Sequence, residues 1–134
     1  MLDYSPIEWL GDRVKILDQT RLPGKEVYLE LSRYQDIASA IVELKIRGAP
    51  AIGVAGGYAV ALGALKIKAA SKSKFQESLR SIIAAIGATR PTARNLFQAI
   101  ERMQRVAFGE VQAKAEAGTT VEQIKTALVA EAIK

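Results

Sequence analysis

An α+β fold, a small N-terminal antiparallel sheet followed by a bundle of about five helices, is predicted by three features of the sequence. The hydrophobic period lengthens from two to about 3.6 near Ser32. Hydrophobic residues make up 49% of the 134-residue chain, enough for one domain with a real core and no separate module. The one long uncharged run, Gly48 to Leu65, is cut by five glycines and a proline and falls short of the ~20 apolar residues of a membrane span, so it reads as a buried helix.

The first elements are strands. "IEWL", "VKIL" and "EVYLEL" are short, and the last alternates Val27, Leu29 and Leu31 inward with Glu26, Tyr28 and Glu30 outward. "LGDR" supplies a turn between the first two and "RLPGK" a loop before the third, which predicts a meander over about residues 7–31. Helices then occupy about residues 33–134. "SRYQ" has the form of a capping box on Ser32 and Gln35, followed by Ile37, Ile41 and Leu44 on one face, so the first helix is predicted to run to about Lys45.

Pro50 suits the first turn of a helix, where its missing amide hydrogen costs nothing, and the segment after it is apolar all round. That marks a central helix, with Ile52, Val54, Ala55, Ala59 and Leu62 among its inaccessible positions. Gly53, Gly56, Gly57 and Gly63 would each weaken an isolated helix by up to ~1 kcal/mol, which implies close approach of a neighbouring backbone. A third helix follows through Phe75, Leu79, Ile82, Ile83 and Ile86, and a fourth through Leu96, Ile100, Met103 and Ala107, with Thr92 placed to cap it. Thr119 with Glu122 offers a capping box for a fifth.

Composition narrows the chemistry. With no cysteine and no histidine, the chain lacks a thiolate nucleophile and the commonest general base and metal ligand. "MLDYSPIEWL" is not an export leader, which predicts a cytoplasmic protein. The net charge of +5 is spread among acidic residues and aromatics are 6%, which argues against a nucleic-acid partner. One asymmetry remains. Between Glu43 and Glu77 there is no acidic residue, while Lys45, Arg47, Lys66, Lys68, Lys72 and Lys74 fall there, a field that favours an anion.

The stretch "IRGAPAIGVAGG" places Arg47 directly ahead of the helix start at Pro50. The free amides of that first turn, from about Gly48 to Ile52, carry the positive end of the helix dipole. Gly48 and Ala49 lack bulk, so a phosphate or carboxylate reaches the backbone while Arg47 adds a bidentate fork. The same residues equally suit a solvated arginine ahead of a tight turn. "TRPTARN" repeats the arrangement more weakly, with Arg90 before Pro91 and a helix start. The two could converge on one anion.

"LDQTRLP", "IRGAPAIGVAGGYAVAL" and "TRPTARNLFQAIERM", in this order and spacing, resemble the N-terminal part of the methylthioribose-1-phosphate isomerase family. Its superfamily also holds the alpha, beta and delta subunits of translation initiation factor 2B and the ribose-1,5-bisphosphate isomerases. The likeness covers essentially the whole chain, and "RGAPAIG" with "LDQT" and "NLFQAIERM" favours the salvage enzyme. Arg94 and Gln98 depart from it, standing where hydrophobic side chains are usual.

The resemblance implies that residues 1–134 are the N-terminal domain of a two-domain protein whose larger Rossmann-like domain, with the catalytic cysteine and aspartate, is not in this chain. It implies conversion of 5-methylthioribose 1-phosphate to 5-methylthioribulose 1-phosphate in methionine salvage. It maps substrate binding onto Arg47, Gly48, Ala49 and Arg90, with no catalytic residue here. No metal or nucleotide cofactor is implied, and the full-length protein is expected to be a homodimer. Two rival readings are a regulatory subunit that binds a phosphosugar or nucleotide without turning it over, and a helical domain that serves assembly alone.

Overall fold

The computed structural model describes residues 7–18, 20, 24, 27–43, 46, 49–68, 71–90, 94–108 and 121–133. Strands β1 (Ile7–Trp9), β2 (Val14–Leu17) and β3 (Tyr28–Leu31) form one antiparallel sheet in the order β1-β2-β3. Ile7 pairs with Ile16, Trp9 with Val14, and Leu29 and Leu31 with Ile16 and Val14, so these six apolar residues share one face, while Leu17, paired with Tyr28, is buried on the other. Between β1 and β2 the chain reverses at Gly11, whose φ of 103° is open to glycine but strained for residues with a Cβ. After β2 the buried Asp18 accepts from the Thr20 amide at 3.0 Å and from its hydroxyl at 2.5 Å, closing a turn.

The helices are α1 (Tyr34–Val42), α2 (Ala49–Lys66), α3 (Lys72–Gly87), α4 (Arg94–Phe108) and, last among the described residues, α5 (Val121–Ile133). The central element is α2, which packs against α1, α3, α4, α5 and β1. Ala55, Ala59, Val60, Ala61, Leu62 and Ala64 are fully buried along it. Trp9 of the sheet meets Tyr58 of α2 with ring centroids 5.5 Å apart. Burial there, and secondarily the charge of Glu8, raises the Tyr58 phenol above its usual pKa.

Small residues set the depth of the α2 contacts. A Cβ at Gly53 would stand 3.1 Å from the Asn95 carbonyl oxygen, the close backbone approach that the glycine spacing predicts. One at Gly56 would stand 2.5 Å from Leu96 Cδ1. Gly57 has more room, with Ala132 Cα at 3.9 Å.

Several expectations are corrected. The capping box at "SRYQ" does not form: Arg33 is the N-cap of α1 and makes no side-chain capping bond. Ser32 lies one residue too early, immediately after β3, and the Gln35 side chain accepts instead from Arg33 Nε at 3.5 Å. Helix α1 ends at Val42 rather than near Lys45, because the chain folds back to bury Ile46, whose amide donates to the Ala40 carbonyl. Val54, expected inside, is 40% exposed, at the cleft that α4 and α5 leave open along α2. The Thr119 capping box, Leu44 and the Thr92 cap lie outside the described residues. The remaining apolar positions of α3 and α4 named from periodicity are buried.

Candidate anion site at two helix starts

Helix α2 opens at Ala49 with Pro50 as its second residue, so the proline sits in the first turn, where no amide hydrogen is needed. Helix α4 opens at Arg94. The two starts are neighbours, since Asn95 in the first turn of α4 rests on Gly53 in the second turn of α2. Leu96 fills the space over Gly56 one turn further along α2. A third terminus packs against α4. The end of α3 approaches α4 at Gly87, where a Cβ would lie 3.6 Å from Phe97 and 3.7 Å from Ile100.

Arg90 stands just past that terminus and is half-buried. Its backbone position is fixed by Thr89, whose hydroxyl donates to the Ile86 carbonyl at 2.6 Å and whose amide donates to the same oxygen at 3.1 Å. Sequence reasoning passed over Thr89, although a threonine just after an apolar helical run is a signal for such a lock. Arg47 and Gly48 lie outside the described residues, and Ala49 is described only as the first residue of α2. Arg94 starts a new helix after residues 91–93, which lie outside the described set.

The electrostatics of this corner are one-sided. Neither α2 nor α4 carries an acidic residue in its first turn, so neither helix supplies a carboxylate to its own amide dipole. The acid-free stretch of sequence is not one patch, however. Ala49 and Lys66 are the two ends of an 18-residue helix, roughly 25 Å apart at 1.5 Å per residue, so Lys66 and Lys68 stand at the opposite end of the domain.

From Gly53 a cleft of about 190 Å³ runs between α2, α4 and α5, lined by Val54, Gly57, Asn95, Gln98, Arg102 and Ala132 among others. Arg102 is held at its edge by Glu131 at 3.0 Å. Gln98 lines this cleft. Among the described residues no group of three or more His, Cys, Asp or Glu is placed to hold a metal. No described helix is long and apolar enough to cross a membrane.

The profile of the Initiation factor 2 subunit family matches residues 45–134, two thirds of the chain and all of α2 to α5. The chain belongs to that family. Among curated members of known name, it is 51% identical over 128 residues to a methylthioribose-1-phosphate isomerase of Dehalococcoides mccartyi, a match that covers 96% of this chain and 36% of the relative. Among solved structures, 5-methylthioribose 1-phosphate isomerase from Pyrococcus horikoshii OT3 is 30% identical with a TM-score of 0.85, covering 98% of this chain and 38% of that one. The delta subunit of translation initiation factor eIF-2B from A. fulgidus is 36% identical with a TM-score of 0.82, covering 96% and 35%. The chain thus spans a little over a third of the length of these relatives.

Proposed function

We propose that this chain is the phosphate-holding part of an aldose–ketose isomerase that converts 5-methylthioribose 1-phosphate to 5-methylthioribulose 1-phosphate in methionine salvage. The observation that carries the reading is the adjacency of the α2 and α4 starts, both free of first-turn carboxylates, with Arg90 following the end of α3 that packs on α4. The names of the curated relatives at about half identity support this choice of substrate. In this reading residues 1–134 form one domain, and a larger domain with the catalytic cysteine and aspartate completes a cytoplasmic homodimer.

The role of the site follows from the substrate. Its anomeric oxygen carries the phosphate, so opening to a free aldehyde is blocked, and hydrogen must pass from C2 to C1 while the phosphate stays in place. Arg47 and Arg90 hold that dianion with the amides at Gly48 and Ala49, which fixes the sugar against acid and base groups supplied from elsewhere. Arginine suits the task because its fork meets two phosphate oxygens at once.

The test uses the full-length enzyme. Charge-assisted hydrogen bonds contribute roughly 1.5–3 kcal/mol each, so Arg47→Ala or Arg90→Ala is expected to lower kcat/KM by about one to two orders of magnitude. Arg47→Lys should restore part of the loss. Arg94, which opens α4, is too near the site to serve as a control; exposed Arg105 in the last turn of the same helix serves instead and should be silent. Wild-type kinetics in both Arg47→Ala and Arg90→Ala would remove the phosphate-site reading. The 134-residue chain alone, lacking cysteine, is expected to show no turnover of methylthioribose 1-phosphate above the uncatalysed rate.

The likeness to the initiation-factor subunit favours one second reading, a binding domain without catalysis. The two separate on the longer sequence, where an isomerase requires the cysteine and aspartate pair.

A further inference from the structure

The far end of α2 carries a larger cavity, about 540 Å³, between the first turn of α1, the last turn of α2 and the middle of α3. Its wall includes Arg33, Tyr34, Lys66, Ser78, Ser81 and Ile82. The helix is close-packed at its floor, where a Cβ at Gly63 would come to 3.0 Å from Ile82 and 3.3 Å from Tyr34. Around this floor stand the exposed side chains of Arg33, Lys66, Ser78 and Ser81. Among the described residues neither Arg33 nor Lys66 has a carboxylate partner, and Arg33 reaches only the Gln35 side chain, at 3.5 Å. Asp36 and Glu77 stand on the same helices but do not line the cavity. Ser78 and Ser81 lie three residues apart on α3 and so present their hydroxyls to one side.

We propose that this cavity is a second anion site, built for a small phosphomonoester. Two cations from different helices, α1's N-cap and α2's last turn, match the two charges of a phosphoryl group. The serine hydroxyls meet the hydroxyls of the ester's organic part, and Ile82 and Ile67 give it an apolar floor. A cavity of this volume is more than a bare phosphate fills and accommodates a phosphorylated sugar. The site lies a helix length from the two helix starts, and nothing in it depends on the isomerase reading.

Titrating ribose 5-phosphate into the isotope-labelled chain, with potassium chloride at matched ionic strength as the control, tests the assignment by amide chemical shifts. Saturable shifts are expected at residues 32–35, 63–67 and 78–82. Arg33→Ala and Lys66→Ala should each weaken binding about three- to tenfold, between the range of an exposed ion pair and that of a charge-assisted hydrogen bond. Inorganic phosphate should shift the same amides with several-fold lower affinity, since it leaves the serines unmet. Equal affinity for inorganic phosphate would overturn the phosphomonoester assignment. Shifts confined to residues 49–53 and 88–95, shifts reproduced by the chloride control, or undiminished binding in the double variant would overturn the site itself.

Discussion

At the scale of single residues, the glycines of α2 are not equivalent, and their differences are measurable. Gly53 faces a backbone oxygen that has little freedom to move, and Gly56 faces the end of the fully buried Leu96. Alanine at either position is expected to lower the urea midpoint, with a cost of about 1–3 kcal/mol at Gly56, where overpacking is greatest. Gly57 has only ordinary contact distance to Ala132, so Gly57→Ala gains helix propensity, up to ~1 kcal/mol, without a clash. Its midpoint should be unchanged or higher, and a fall as large as that of Gly56→Ala would mean the α2–α5 spacing is wrong. The sequence displays all these glycines alike. Which of them meets backbone, side chain or space depends on partners dozens of residues away, and no local pattern encodes that.

At the scale of elements, two serines separate a sequence signal from a working cap. Ser71 is the N-cap of α3, its hydroxyl accepting from the Lys74 amide at 3.2 Å, whereas Ser32 caps nothing. Ser71→Ala is expected to cost about 1 kcal/mol of stability and Ser32→Ala close to nothing, read as shifts of the denaturation midpoint. Comparable losses in the two variants would restore the capping box at "SRYQ". Periodicity made the strands and the buried stripes of α3 and α4 legible, because an amphipathic element states which face goes inside. It failed at Val54 for the opposite reason: a helix that is apolar all round contains no direction, so the position left open at the cleft has no mark in the sequence. The candidate site divides the same way. Pro50 and the arginines made the helix starts legible, while their adjacency rests on the fit of Asn95 over Gly53.

At the scale of the whole molecule, α2 is the shared wall of every other described helix, and its cover comes from both sides of it in sequence. The latest piece is α5, which lays Ala132 over Gly57 and donates from the buried Lys125 ammonium to the Ile67 carbonyl at 2.9 Å, completing the C-terminal end of α2. A chain ended after Phe108 is therefore expected to bind an apolar-surface dye and to lose a cooperative thermal transition, while the 134-residue chain does neither; a sharp transition in the shortened chain would show that α5 is dispensable. The same arrangement governs the order of events during synthesis. The most apolar segment of the protein emerges from the ribosome well before the helix that finishes covering it, so the nascent chain passes through an interval in which α2 is made but has no complete home. Slower synthesis after α2 has emerged prolongs that interval, during which its apolar surface is only partly covered.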